Sequence, residues 1–437
     1  MTSSDLGLTG GSEPASILVV GLAVTGRAVV DAALRRGHDV YACDDRATDL
    51  ARVAAADRGI TLVESPDAAK LAELVRGADM VVPSPGVPRH HDVYAIADQL
   101  SIPIVSEFDL AAAWDDRPIA AITGTNGKTT VTTLVTGMLR RSGIAATAAG
   151  NVETPLVEAI DRPDNPRTEV FVVEASSFRL ERTATFAPRV GAWLNLAADH
   201  LDWHRDLEQY AQAKARIWSA GGSDRVAVIP TDDPAIAKFA EASGRRILTF
   251  GLEAGYANWA GDELVVGQDS IVSAADLPKR LPHDLLNAAA AAAVAREMGA
   301  NTDGIKSELV AFGGLAHRMA LIQSIGGVDW YDDSKATTPD ATIAGVGGLS
   351  DVVLIAGGSE KGLDLSALSS LHDRLTAVVA IGETAPAVVD VFTSDHGCGN
   401  TTVPVTVAET MAAAVVTASE LAVRGGAVVL SPACASF

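Results

Sequence analysis

Cysteine is scarce. Cys43, Cys398 and Cys434 are the only three in 437 residues, an odd number with no CxxC and no Cys/His spacing. That usage excludes a disulfide framework and a structural zinc centre, and it suits a reduced compartment. Basic charge is short as well: 34 Lys plus Arg face 55 Asp plus Glu, a formal net charge of −21, with no long block of either sign. A nucleic-acid partner is therefore not expected. No apolar run reaches the roughly 18 residues of a membrane span. Residues 1–16 are polar, small and acidic where a secretory leader is basic and then apolar. The expectation is an unprocessed cytoplasmic protein. No repeat of fixed period is present, and at roughly 100 to 200 residues per domain the length suggests about three domains.

What is present is a run of short apolar segments, each followed by a glycine or proline turn. Residues 17–20 (ILVV) lead into the turn 21–26 and then a helical pattern that stops at Gly37. A second run, 39–43, ends in Asp44 and Asp45, about twenty residues past the turn, where a dinucleotide fold places its acidic residue. The fingerprint is imperfect: Ala23 stands at the middle glycine of Gly21-x-Ala23-x-x-Gly26, and its methyl crowds a pyrophosphate lying on the backbone. A different nucleotide, or a plain strand-to-helix turn, fits better. Residues 81–86 (VVPSPG) read as a strand entering a rigid exposed loop. A polar, proline-containing stretch at 115–118 marks a boundary. Beyond it come apolar runs at 119–123, 169–174 and 190–196 and an alanine-rich helix after Asn287. A third segment begins near His317, with strands expected at 352–356, 377–381 and 427–430.

The chemistry sits at the ends of these runs. Gly124-Thr125-Asn126-Gly127-Lys128-Thr129-Thr130 follows an apolar strand and opens a helix, so backbone amides can hold phosphate, Lys128 can neutralise it and a threonine hydroxyl can reach magnesium. The standard loop needs glycine at Ile122, so this is a shortened variant. Glu174 ends the run FVVE, where a carboxylate can reach a metal on the phosphates, unless it is merely an exposed strand end. Asp199, His200, Asp202 and His204 crowd the segment NLAADHLDWH. A zinc site prefers more sulfur or a third histidine, whereas an oxygen-rich loop beside a phosphate loop suits magnesium. Lys214, read by itself, is a solvated helix lysine. DDSKAT (332–337) and GGSEKG (357–362) bring hydroxyls and lysines to strand ends, suited to a carboxylate substrate or else plain loops.

Together these motifs resemble the Mur ligases, the ATP-dependent amide-bond-forming enzymes of bacterial cell-wall precursor synthesis. GTNGKTT, EASSF, NLAADHLDWH, the run 210–214, Asn287, His317-Arg318, DDSKAT, GGSEKG and SPACAS occur in the family's order across essentially the whole chain. The resemblance implies an α/β fold of three domains: a Rossmann-like N-terminal domain over 1–114 for the uridine substrate, a central P-loop ATPase-like domain over 115–314, and a Rossmann-like C-terminal domain over 315–437 for the amino acid. GLAVTG, DSKAT and SPACASF look like the member that adds D-glutamate to UDP-N-acetylmuramoyl-L-alanine. Asp164-Asn165-Pro166-Arg167 matches a signature of the diaminopimelate-adding sister, but in the wrong domain, and reads as a coincidental turn.

The residue roles follow from the resemblance. Gly124 to Thr130, with Asn287, Arg318 and Asp333, would bind ATP. Thr129, Glu174, His200 and a carbamylated Lys214 would hold two magnesium ions. Lys128, His200 and Lys214 would be catalytic. Gly21, Thr25, Gly26, Asp44, Arg46, Ser84, Pro85, Gly86, Asn151 and Ser176 would bind the uridine substrate, and Thr337, Lys361 and Ser436 the D-glutamate. A monomer acting on small molecules is expected, with domain closure during turnover. Asp284 departs from the family's asparagine. The chain also stops at Phe437, where the family continues into a last helix, so an apparently truncated third domain with low activity and stability is expected. Alternatives are another Mur-type or folylpolyglutamate-type ligase, a non-catalytic P-loop ATP-binding protein and, from the first segment alone, a nicotinamide-dependent oxidoreductase.

Overall fold

The computed structural model describes residues 14–151, 154–162, 167–201, 203–360, 362–393 and 403–435. Lys361, Ser436, Asp202, Cys398 and residues 164–166 lie outside the described residues. The chain divides into two compact units. Unit 1 comprises Met1–Leu196, Glu208–Val272 and Ala288–Leu309; unit 2 comprises Ala197–Leu207, Ser273–Asn287 and Val310–Phe437.

Unit 1 holds two sheets. In the first, β1 (Ser16–Val20), β2 (Asp39–Asp44), β3 (Thr61–Glu64) and β4 (Met80–Pro83) lie in the order β3-β2-β1-β4, all parallel. Alternate residues of β1 enter opposite cores: Ile17 and Val19 face one cluster, Leu18 and Val20 another. A strand covered on both faces has no polar positions to spare, which is why the run reads as continuously apolar.

The second sheet has nine strands, ordered β13-β12-β11-β10-β9-β8-β5-β7-β6. They are β5 (Ile119–Thr123), β6 (Ala146–Gly150), β7 (Val170–Glu174), β8 (Val190–Trp193), β9 (Val226–Pro230), β10 (Arg246–Phe250), β11 (Ala257–Ala260), β12 (Glu263–Val266) and β13 (Asp269–Ser273). β5 pairs in parallel with β7 on one side and β8 on the other, so the loops leaving all three strands share one edge. β11 and β12 pair antiparallel, an appendage the sequence reading did not anticipate.

One buried carboxylate joins these two sheets. Asp109, 1% exposed on the helix Glu107–Trp114 that follows the first sheet, accepts the backbone N–H groups of Ala184, Thr185 and Phe186 at 3.0, 2.8 and 2.7 Å. The same helix places Glu107 against Arg179, 2.9 Å away, with both side chains at 10% exposure or less. Phe108 stacks on Phe186 in the shared core.

Unit 2 contains a six-stranded sheet ordered β14-β15-β19-β16-β17-β18. Its strands are β14 (Ala320–Ile325), β15 (Val328–Asp332), β16 (Val352–Ala356), β17 (Leu375–Ile381), β18 (Val405–Ala408) and β19 (Ala427–Leu430). β14 and β15 form an antiparallel hairpin closed by Gly326 and Gly327, at φ +62° and +83°. Two consecutive left-handed residues make the tight turn that matches strand twist, and glycine adopts them without a Cβ clash. The other pairings are parallel. Among the described residues no helix is long and apolar enough to cross a membrane.

Replacing Asp109 by alanine removes the acceptor of the buried Phe186 amide, and an orphaned buried donor costs about 1–3 kcal/mol. Urea unfolding of Asp109→Ala should show a loss of at least that size; an unchanged midpoint would mean the carboxylate does not hold the sheets together.

Candidate active site

The phosphate loop turns out of β5 with Gly127 at φ +83°, the N-cap of the helix Lys128–Arg141. A side chain there would be strained, so glycine is dictated by the backbone. Lys128, Thr129 and Thr130 form the first helical turn, whose N–H groups have no carbonyl partner within the helix and favour an anion. Lys128 Nζ lies 2.8 Å from the carbonyls of both Gly124 and Thr125.

Asn195, just past β8, fastens the loop from the side. Its carbonyl accepts Thr125 N–H at 3.1 Å, its Oδ1 accepts Asn126 N–H at 2.8 Å, and its Nδ2 donates to Asn126 O at 3.2 Å. Trp193 Nε1 donates to the same Asn195 carbonyl at 3.0 Å. The sequence reading quoted this residue only as the first of NLAADHLDWH and gave it no role, because only the strand order β8-β5 brings it beside the loop.

Glu174 ends β7 opposite Ile122 and is 3% exposed. Asn151 Nδ2 donates to its Oε1 at 3.1 Å, while Oε2 is buried with no hydrogen-bond partner. An unsatisfied buried carboxylate oxygen is costly without a cation or donor. One carboxylate and a hydroxyl beside a phosphate site match magnesium, which keeps several waters and arrives with phosphates rather than in an all-protein cage. Among the described residues no three His, Cys, Asp or Glu side chains form a metal-binding group.

Lys214, on the helix Leu207–Ala215, is 1% exposed rather than solvated. Its Nζ donates to Gly124 O at 2.7 Å and lies 4.2 Å from the Tyr210 ring centre. Lys214 and Lys128 thus converge on one carbonyl oxygen.

The first-sheet turn is equally constrained. Gly21 has φ +84°, and a Cβ on Gly26 would stand 1.9 Å from Gly21 O. Asp44 Oδ2 accepts Leu22 N–H and Oδ1 accepts Arg46 N–H, so this carboxylate shapes the turn from within. Ser84 Oγ donates to Gly21 O at 2.7 Å, while Pro85 and Gly86 continue outward to partly and fully exposed positions. Thr25 receives Arg179 at 3.2 Å, and Ser176 precedes the short helix Ser177–Leu180 that carries Arg179.

Unit 2 gathers a second group. His200 adopts φ +54°, with its ring 3.3 Å from Asp199. Burial, with repulsion from Asp199 adding to it, pushes the Asp340 carboxyl up. Asp284 occupies the first turn of the helix Pro282–Glu297 and accepts Leu281 N–H at 3.2 Å, a favourable place for a negative charge. Asn287 is three residues further along this helix. His317, at φ +63°, holds Asp332 at 2.6 Å; burial acts against that carboxylate, but Ser334 and His317 keep it below its ordinary value.

Asp333, 6% exposed, accepts Met319 N–H at 3.0 Å and Ser431 Oγ–H at 2.9 Å, and burial pushes its carboxyl up to about 6 despite His283 and Arg318 nearby. Ala433, at φ +58°, donates its N–H to Ala336 O, so the segment 431–435 is laced to the DDSKAT loop that carries half-buried Thr337. Left-handed His200, His317 and Ala433 are strained backbone in the very loops the motifs occupy, as is common where function fixes geometry.

Residues 122–295 match the Mur ligase middle domain, residues 317–434 the Mur ligase glutamate ligase domain, and residues 2–93 the alanine dehydrogenase/PNT C-terminal domain. A protein of Thermobifida fusca, described as UDP-N-acetylmuramoylalanine–D-glutamate ligase, is 36% identical over 96% of this chain and 94% of its own. The chain belongs to the Mur ligase family. Proteins of the same description from Frankia casuarinae and Desulfosudis oleivorans are 40% and 38% identical over 96% and 98% of the chain and 90% and 93% of their own. Among solved structures, MurF of Acinetobacter baumannii shares the fold at TM-score 0.62 and 18% identity, covering 99% of this chain and 90% of that one. MurF of Thermotoga maritima in complex with ADP does so at 0.59 and 18%, covering 98% and 95%. As a Mur ligase the chain is an ATP-using, amide-bond-forming enzyme.

Because folded Asp333 holds its proton more tightly than the unfolded chain does, its stabilising contribution is full below 3.8 and is lost as pH rises through about 6. Thermal unfolding across that window should show the wild type losing stability relative to Asp333→Asn as pH rises; parallel curves would contradict the shift.

Proposed function

We propose that this Mur ligase joins D-glutamate to the L-alanine carboxylate of UDP-N-acetylmuramoyl-L-alanine, an early amide bond of the peptidoglycan precursor, with ATP converted to ADP and phosphate. The observation that carries the reading is the 36–40% identity, over nearly the whole chain, to proteins described as catalysing this ligation. The buried, unpartnered Glu174 oxygen beside the phosphate loop supports the chemistry.

A carboxylate is a poor electrophile, so its oxygen first attacks the γ-phosphate, giving an acyl phosphate and ADP. Lys128 and the first-turn amides hold the phosphoryl oxygens in line and spread their charge. Glu174 and Thr129 would hold magnesium, which when bound would supply further neutralisation of the phosphates. The deprotonated amine of D-glutamate then attacks the acyl carbon, and the tetrahedral adduct expels phosphate. Gly21, Thr25, Gly26, Asp44, Arg46, Ser84, Pro85 and Gly86 would receive the uridine diphosphate, with Asn151 and Ser176 toward the muramoyl end. Asn287, Arg318 and Asp333 would position the nucleotide, and Thr337, Lys361 and Ser436 the amino acid, Lys361 pairing with a carboxylate to select a diacid.

Lys214 would work as a carbamate. A buried ammonium beside Lys128 is disfavoured by like charge, and addition of carbon dioxide to the neutral amine replaces it with an anion suited to a second magnesium alongside His200.

Phosphate release should require ATP, magnesium, UDP-N-acetylmuramoyl-L-alanine and D-glutamate together; release with diaminopimelate or L-glutamate instead would reassign the substrate. Lys214→Ala should lower turnover at least about a hundredfold, the scale of losing one preorganised charge stabiliser, with ADP still bound. Labelled bicarbonate should give a carbamate carbon resonance in the wild type that this variant lacks.

A further inference from the structure

The loop motif invites the view that every amide from Gly124 to Thr130 is turned toward phosphate. The hydrogen bonds divide the loop differently. Thr125 N–H points to Asn195 O, and Asn126 N–H to Asn195 Oδ1, while Asn195 Nδ2 returns a bond to Asn126 O. The carboxamide pairs with both polar groups of residue 126 as a neighbouring strand would. The clamp is itself anchored: Trp193, fully buried, donates its indole N–H to the Asn195 carbonyl.

We infer that Asn195 is a positioning residue for nucleotide binding, turning the Thr125 and Asn126 amides away from the ligand and leaving the anion to Lys128 and the first turn of the following helix. Two features make an asparagine necessary at this point. Only a carboxamide supplies one acceptor and one donor at the spacing of a peptide group. A carboxylate of the same shape would keep the bond from Asn126 N–H, oppose the Asn126 carbonyl with an unprotonated oxygen, and add negative charge where phosphate must sit. The shortened loop explains the need, since four residues separate β5 from the helix and cannot close on their own amides in the way a longer loop can.

The inference rests on the ATP-using reading, not on the identity of the acceptor or the amino acid, so its test uses nucleotide binding alone. The dissociation constant of magnesium-ADP would be measured calorimetrically on the full chain and on Asn195→Ala and Asn195→Asp, beside that of the uridine nucleotide substrate and the thermal midpoint. Both variants should bind magnesium-ADP about tenfold or more weakly, Asn195→Asp the weaker at low ionic strength, with uridine-nucleotide affinity and thermal midpoint unchanged. Wild-type ADP affinity in either variant would overturn the assignment. A parallel loss of ADP affinity, uridine affinity and thermal midpoint would also overturn it, by showing a general structural role. A chain that binds ADP as described but fails to release phosphate would refute the ligase reading and leave this one standing.

Discussion

Lys128 and Lys214 donate to one oxygen, the carbonyl of Gly124, from 4 and 90 residues further along the chain. Two ammonium groups sharing one acceptor repel each other, which suits Lys214, packed against Tyr210, to the carbamate form proposed above. In a chain with a formal charge of −21, Lys128 at the start of its helix is then the positive group of the loop. Its positive charge suits the loop to receive an anion, and Glu174, with one oxygen bonded by Asn151 and the other unanswered, supplies the opposite charge a strand away.

The fold was legible where a strand is buried on both faces. β5, β16 and β19 coincide with the apolar runs read from the sequence, since a doubly covered strand has no reason to alternate. The hairpin β14–β15 and the antiparallel strands β11 and β12 were not read. Their exposed positions break the apolar run: five of the six residues of β14 are exposed. The signal available was Gly326-Gly327, a two-residue turn between β-rich segments, and it was passed over for the louder helix–strand alternation.

At the site, the sequence named groups by chemistry but could not assign what holds them. Lys214 reads as a surface lysine by composition and is among the most buried side chains; only the family resemblance pointed to it. The roles of Asn195 and Arg179 were illegible for a different reason. Each acts across strands or helices far apart in the chain, Asn195 on residues 125 and 126 and Arg179 on Glu107 and Thr25, and no local spacing encodes such partners. Asp44, the last residue of β2, was read as a ligand contact by its place about twenty residues past the turn, and its carboxylate bonds the turn's own amides.

Asp109 and the Glu107–Arg179 pair tie the first sheet to the second within unit 1 through buried, charge-assisted bonds. The glycine turn of β1 and the carboxylate of β7 are therefore parts of one rigid frame. A substrate lying along this frame as proposed, with its nucleotide at the first turn and its reactive carboxylate toward Glu174, would be measured by a fixed ruler. The length of the sugar-diphosphate moiety, more than any single contact, would then decide whether the acid to be activated reaches the phosphoryl group at all.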